Sequence, residues 1–163
     1  MSVEAPEKYA FIFPGQASQA VGMGGDLHEK SDAARGVFEQ IDEALGRKLT
    51  DVMFDGPDDV LTRTENAQPA ITAVSLAAWK VIEEATGEPQ APAMTTGHSL
   101  GEYSSLAVAG VLSIEDTVKL VVDRGRLMQH ACDEKPGGMA AIIGIDEQTV
   151  DTWVATDVRH PGW

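Results

Sequence analysis

The stretch that decides the fold is GHSLGEY, residues 97–103 of a chain of 163 residues. It fits the pattern G-x-S-x-G, which places a serine on a sharp turn between a β-strand and an α-helix. Small residues at Gly97 and Gly101 allow the strand and the helix to approach each other. The N–H of Leu100 points to where an oxyanion would form, close to the positive end of the helix. The pattern predicts that Ser99 is a nucleophile, with a plain turn of small residues as the alternative.

The elements predicted around this turn alternate between strands and helices, which indicates an α/β fold. Strands are predicted at 9–13, 93–97 and 139–143, and helices at 32–45, 67–85, 101–109, 113–132 and 146–154. The first strand is an apolar run and is expected to be buried. Ser113 with Asp116 resembles a capping box, and Gly46 and Gly87 end two of the helices. The acidic segment 51–63 is interpreted as turn-rich.

Composition narrows the class of protein. The 26 acidic and 12 basic residues give a net charge of −14, which argues against binding to nucleic acid or to an anionic membrane. No apolar run reaches the roughly 20 residues of a membrane span. Residues 1–8 lack the apolar segment of a signal peptide. The single cysteine, Cys132, cannot form an intrachain disulfide, so we expect a cytoplasmic protein.

The helix that follows Ser113 carries an unexpected charge. Its apolar stripe consists of Ile114, Val118, Val121, Gly125, Met128 and Cys132. Cys132 is therefore expected in the core. The neighbouring line consists of Leu120, Arg124, Leu127 and Ala131. A guanidinium on such an apolar face needs a partner. An aspartate or glutamate of the protein is one option, and a substrate carboxylate held by two parallel hydrogen bonds is the other.

A serine nucleophile needs a general base, and none of the four histidines fits that role well. His98 adjoins Ser99, and its side chain is expected to leave the turn in a different direction. His28 precedes the turn, whereas the base follows the nucleophile in α/β-hydrolases. His130 falls on a polar helix face and is expected to be solvated. His160 stands near the end of the sequence.

Together these motifs resemble the malonyl-CoA:acyl carrier protein transacylase family, which also occurs as acyltransferase domains of polyketide and fatty acid synthases. The matching stretches are FIFPGQASQAVGMG (11–24), ENAQPAI (65–71), GHSLGEY (97–103), DRGRLMQ (123–129) and GGMAAIIG (137–144). Ala17 departs from the family, which usually has glycine there. The resemblance implies an incomplete α/β-hydrolase-like large subdomain at 1–134. It also implies the start of an inserted ferredoxin-like small subdomain at 135–163.

The resemblance also implies roles for individual residues. Ser99 would accept the malonyl group, and the N–H groups of Gln16 and Leu100 would form the oxyanion hole. Arg124 would bind the free carboxylate of the malonyl group. The pocket would be lined by Gln68 and His98.

The reaction implied is a ping-pong transfer with malonyl-CoA and acyl carrier protein as partners. Malonyl moves from coenzyme A to Ser99 and then to the phosphopantetheine thiol, in fatty acid or polyketide synthesis, with no metal and no tightly bound cofactor. The catalytic histidine of the family lies beyond the small subdomain, so we expect a chain that is truncated before it. The last residues, TDVRHPGW (156–163), are unlike the family. A serine esterase or thioesterase, which needs no Arg124, and a catalytically incompetent fragment are the alternatives.

Overall fold

Strands and helices alternate along the chain, as in an α/β protein. The computed structural model describes residues 8–87, 91–135 and 142–155. Within them two parallel strands, β1 (Ala10–Phe13) and β2 (Met94–Gly97), form a sheet in which Phe13 stands opposite Gly97. A long helical crossover separates the two strands in sequence, as parallel pairing demands. The predicted α/β class is therefore confirmed at this level.

Local capping patterns fix several of the helix ends. The helices are α1 (Gly25–Lys30), α2 (Asp32–Leu45), α3 (Leu49–Asp55), α4 (Asp58–Thr62), α5 (Thr64–Thr86), α6 (Gly101–Val108), α7 (Ile114–Glu134) and α8 (Glu147–Ala155). Gly46 ends α2 at φ 63°, and Gly87 ends α5 at φ 72°, a left-handed conformation that glycine adopts without strain. Ser113 Oγ accepts the N–H of Asp116 at 3.0 Å and starts α7. These predicted ends are confirmed.

The segment 51–63 was predicted as turn-rich, and that prediction is wrong, because α3 and α4 occupy most of it. Asp42, in the preceding helix, accepts the N–H groups of Leu49 at 2.7 Å and Thr50 at 3.1 Å. These N–H groups begin α3 and have no partner within their own helix. A cap supplied from outside the segment thus stabilises a helix that the local composition does not indicate.

The core lies between α2, α5 and α7, and the sheet borders it. The fully buried large side chains of this core include Phe38, Ile41, Leu49, Met53, Leu61 and Leu76. The first strand is not buried throughout, because Ile12 is 78% exposed. Cys132 is also exposed, contrary to the prediction. Since Gln129 bonds Thr64, the first residue of α5, Cys132 lies in the part of α7 beyond that contact.

The last described segment contains α8, one residue later at each end than predicted. Asp146 accepts the N–H of Thr149 at 2.9 Å and its hydroxyl at 2.8 Å, and these bonds hold the pKa of Asp146 below its ordinary value. The strand predicted at 139–143 falls largely outside the described residues. Ile142 and Ile143 are described and are not in a strand. No helix in the described ranges is both long and apolar enough to cross a membrane.

Candidate active site

Ser99 occupies a strained turn where β2 leads into α6. Its φ of 53° lies in the left-handed region that non-glycine residues rarely adopt. A Cβ added to Gly97 would lie 2.0 Å from the carbonyl carbon of Gly101, and one added to Gly101 would lie 2.3 Å from the carbonyl oxygen of Phe13. Only glycine fits both positions, because the end of β1, the turn and the start of α6 are in backbone contact. The Ser99 side chain is exposed at this point.

Leu100, the residue after the serine, is fixed in place by apolar packing. Leu100 is 1% exposed and packs with Ile71 of α5 and Val121 of α7 in a small apolar cluster. Its backbone N–H is bonded to no acceptor in the described part of the chain. A fixed N–H without an internal partner, at the start of a helix, can stabilise a developing negative charge. The position of Leu100 therefore suits the role that the sequence predicts for it.

Arg124 reaches the serine from α7. Its Nη2 lies 3.0 Å from Ser99 Oγ, and its guanidinium lies 5.6 Å from the centre of the Tyr103 ring. Within the described residues no carboxylate pairs with Arg124, whereas Arg126 pairs with Asp123 at 2.9 Å. A cation without an acidic partner therefore stands beside the serine hydroxyl.

The line of α7 that carries Arg124 is apolar apart from the arginine, yet it is not buried within the described residues. Leu120 is 45% exposed and Leu127 is 63% exposed, so the line faces solvent on either side of Arg124. Arg124 itself is half-buried. Its guanidinium is thus reachable by a ligand that approaches Ser99 from solvent.

Two glutamines connect the loop after β1 with the helices behind it. Gln68 of α5 is fully buried, and its Nε2 donates to Gln16 Oε1 at 3.3 Å and to Met128 Sδ at 3.1 Å. Gln16 Nε2 in turn donates to Thr64 Oγ1 at 3.2 Å. The Oε1 of Gln68 is buried and has no described partner. Ala17, where the family usually has glycine, stands at φ 80° in the left-handed region.

His98 lies at the edge of this arrangement. The backbone N–H of His98 donates to the carbonyl of Phe13 at 3.1 Å. Its imidazole packs so closely on the loop after β1 that a Cβ on Gly15 would lie 2.5 Å from His98 Nδ1. The loop that carries Gln16 and the turn that carries Ser99 are therefore direct neighbours at the carboxyl ends of the two strands.

The structure brings no described histidine into position to accept the Ser99 proton. The His28 ring packs on Phe38 and Phe54, with ring centres 5.7 and 5.2 Å apart. His130 is exposed and lies 3.5 Å from Glu134, as expected of a solvated residue. His160 lies outside the described residues. The described histidines thus leave the general base unassigned.

The sequence did not single out Thr64, Gln129 or the contact of Gly125. Gln129 Oε1 accepts the backbone N–H of Thr64 at 3.0 Å, and a Cβ on Gly125 would lie 3.1 Å from the Thr64 carbonyl oxygen. Gly125 and Gln129 both belong to the stretch DRGRLMQ, so membership in that motif was the available signal. In the described ranges no cluster of three or more histidine, cysteine, aspartate or glutamate side chains could hold a metal ion.

Chemically, the site combines an exposed serine hydroxyl, at least one free N–H donor and a guanidinium that has no acidic partner among the described residues. This combination suits transfer of an acyl group that itself carries a negative charge. A neutral acyl group would offer the guanidinium no opposite charge to pair with.

The chain matches the family model described as an acyl transferase domain over residues 10–158. It is 46% identical to the malonyl CoA-acyl carrier protein transacylase of Bacillus subtilis over 88% of this chain and 44% of that protein. Among solved structures, the acyl-carrier-protein-S-malonyltransferase of Bartonella henselae is 46% identical, with a TM-score of 0.79 over 90% of this chain and 47% of that one. A malonyl-transacylase solved in complex with its type II PKS acyl-carrier protein is 38% identical, with a TM-score of 0.78 over 92% and 48%. The chain thus spans about half the length of the relatives it matches.

Proposed function

Because the chain belongs to the acyl transferase domain family, we propose that it serves as an [acyl-carrier-protein] S-malonyltransferase in fatty acid or polyketide synthesis. The observation that carries this proposal is the 3.0 Å contact between Arg124 Nη2 and Ser99 Oγ. It joins the nucleophile that every acyl transfer through serine needs to the cation that a malonyl group needs. We propose a cytoplasmic location, in keeping with the single cysteine.

In the first half-reaction, Ser99 Oγ attacks the thioester carbonyl of malonyl-CoA. The carbon–sulfur bond breaks, the serine proton leaves, and coenzyme A departs as its thiol, so that a malonyl ester remains on the serine. In the second half-reaction, the phosphopantetheine thiol of acyl carrier protein attacks the ester carbonyl. The bond between the acyl carbon and Ser99 Oγ breaks, the malonyl group remains on the sulfur, and the thiol proton restores the serine hydroxyl. The N–H groups of Leu100 and Gln16 stabilise the oxyanion formed in both steps.

Arg124 selects the acyl group. Only one methylene separates the two carboxyl carbons of a malonyl group, so a guanidinium beside Ser99 Oγ can also bind the free carboxylate once the acyl group is on the serine. A planar guanidinium offers two parallel hydrogen bonds to a carboxylate. Gln68 and His98 line the rest of the pocket in this proposal.

The relatives support this choice of donor and acceptor. Those named above are malonyl CoA-acyl carrier protein transacylases and S-malonyltransferases, and one was solved with its acyl-carrier protein. We also propose the subdomain division at residue 134, with an α/β-hydrolase-like part before it and the start of a ferredoxin-like part after it.

Intact-mass measurement of the chain after incubation with malonyl-CoA tests the proposal. We expect a slowly formed malonyl adduct that maps to the peptide containing 97–103 and is absent from Ser99→Ala. Cys132→Ala is the control, because an exposed thiol can also accept an acyl group from a thioester. An adduct that persists in Ser99→Ala and disappears in Cys132→Ala would exclude the serine mechanism. Rapid hydrolysis of neutral esters with no preference for malonyl donors would favour the esterase alternative.

A further inference from the structure

The loop that carries Gln16 is tied to the helices through one side chain. Within it, Ser18 Oγ donates to the carbonyl of Gly15 at 2.8 Å, and the N–H of Ala17 donates to Gln19 Oε1 at 2.9 Å. These bonds stay inside the loop. Among the described hydrogen bonds of residues 15–19, those that reach a helix belong to the Gln16 side chain.

We infer that Thr64, held in place by Gln129, is a positioning residue that fixes Gln16 so that its backbone N–H completes the oxyanion hole. This inference rests on the proposed function, because the oxyanion forms only if Ser99 is acylated. It adds Thr64 and Gln129 to the residues that determine the rate.

The carboxamide of Gln16 is held at both of its ends. Its Nε2 donates to Thr64 Oγ1 at 3.2 Å, and its Oε1 accepts from Gln68 Nε2 at 3.3 Å. A side chain fixed at both ends limits the rotation of the residue that carries it. Because Ala17 holds a left-handed conformation that an L residue adopts only under constraint, the loop needs such an external tie.

Thr64 can act as an anchor because it is itself fixed. It is the first residue of α5, where a backbone N–H has no partner within the helix, and the preceding Arg63 supplies no side-chain cap. Gln129 Oε1 accepts this N–H at 3.0 Å, while Gln129 Nε2 donates to Asp133 Oδ1 at 3.0 Å. The side chain of Gln129 therefore replaces the missing cap of α5.

Helix α7 consequently positions both Arg124, which would bind the free carboxylate of the acyl group, and the loop whose N–H would stabilise the oxyanion. Arg124 contacts Ser99, and Gln129, on the same helix, sets the position of Thr64 and through it that of Gln16. Gly125 permits this arrangement, since a side chain there would press on the carbonyl of Thr64 at 3.1 Å. The carboxylate clamp and the oxyanion hole are thus aligned by one rigid element.

Thr64→Val removes the hydroxyl at constant shape, and Thr64→Ser keeps it. In wild type and Thr64→Ser we expect a backbone order parameter for Gln16, from ¹⁵N relaxation, of about 0.85, falling to about 0.6 in Thr64→Val. The rate of Ser99 acylation should fall roughly tenfold in Thr64→Val, equally for malonyl and acetyl donors, because removal of a whole oxyanion donor costs about 10²–10³. Gln129→Leu should act in the same direction.

Thr50→Val is the matched control, since Thr50 also stands in the first turn of a helix and its hydroxyl donates to Asp42 at 2.8 Å. It should lower stability without changing Gln16 or the acylation rate. An unchanged order parameter in Thr64→Val overturns the inference, and so does a lowered one with unchanged acylation. If wild type forms no ester at Ser99, the proposed function and the catalytic part of the inference fail together. In that case the order parameter still decides whether Thr64 fixes Gln16.

Discussion

Arg124 Nη2 donates to Ser99 Oγ at 3.0 Å, although the two residues are 25 positions apart in the sequence. Ser99 is presented by a strand-to-helix turn and Arg124 by the middle of a long helix, so only the packing of α7 on α5 and α6 brings them together. With no acidic partner among the described residues, the guanidinium is available to an anionic acyl group. In the proposed function, this relationship connects the nucleophile with the choice of acyl group.

Replacement of Arg124 by alanine should change the preference between acyl donors. A hydrogen bond to a charged group contributes about 1.5–3 kcal/mol, so the ratio of malonyl to acetyl loading of Ser99 should fall roughly 10- to 100-fold. The initial rates of ester formation with malonyl-CoA and acetyl-CoA, followed by intact mass, give this ratio.

Arg126→Ala serves as the control for Arg124→Ala, because Arg126 lies two residues further along the same helix and pairs with Asp123 instead. It should leave the ratio unchanged. Equal losses for both donors in Arg124→Ala would mean that Arg124 only stabilises the fold.

Alanine substitutions at the two glycines that flank Ser99 should strongly lower the stability of the protein. Gly97→Ala places a methyl group 2.0 Å from a backbone atom, and Gly101→Ala places one 2.3 Å from another, and neither backbone atom can move independently. Each should lower the free energy of unfolding by about 3 kcal/mol or more, at the upper end of overpacking effects. Urea unfolding followed by circular dichroism measures this change.

Gly36→Ala is the matched comparison, because Gly36 lies inside α2 and an added Cβ there meets nothing within 4 Å. It should raise the free energy of unfolding by about 0.5–1 kcal/mol, since alanine favours a helix interior more than glycine does. Gly97 or Gly101 variants as stable as Gly36→Ala would contradict the backbone contacts around Ser99.

These contrasts also show which parts of the molecule a sequence can predict. The serine turn and the caps at Gly46 and Ser113 depend on residues within a few positions of one another, so their patterns are visible in the sequence. The cap that Gln129 gives to Thr64 spans 65 positions, and no local pattern contains it. Helical periodicity identified an apolar stripe on α7, but it does not show where the neighbouring helix ends, and Cys132 is exposed for that reason.

The open sheet should promote self-association. Parallel sheets are usually covered on both faces and at their edges, yet each strand has one unpaired edge among the described residues, and Ile12 is 78% exposed. Ile12 borders a groove of about 340 Å³ whose other wall is formed by Val74, Ala78 and Ile82 of α5. We expect oligomers at micromolar concentration despite the net charge of −14.

Ile12→Lys should shift the mass measured by sedimentation velocity towards the monomer. Val154→Lys is the control, because Val154 is equally exposed, at 78%, but lies on α8 and not on a strand. A purely monomeric wild type, or an equal response to both substitutions, would argue against association through the sheet.

The pH dependence of Ser99 acylation tests whether a histidine serves as the base. Among the described residues no histidine side chain is hydrogen-bonded to Ser99 Oγ, so we expect the serine proton to pass to water or hydroxide. The acylation rate should therefore rise steadily with pH, without a step near the ordinary histidine pKa of about 6.5. In serine triads, loss of one member leaves a rate roughly 10³–10⁴ above water, supplied by the oxyanion hole and by binding.

Rates of malonyl ester formation between pH 5.5 and 9 (a range of roughly one unit or more on each side of that pKa) would show such a step if a histidine were in place. A step removed by His160→Gln or His130→Gln would assign the base to that residue. Steady transfer to acyl carrier protein at rates typical of an intact enzyme, about 1–10³ s⁻¹, would also contradict acylation without a histidine base.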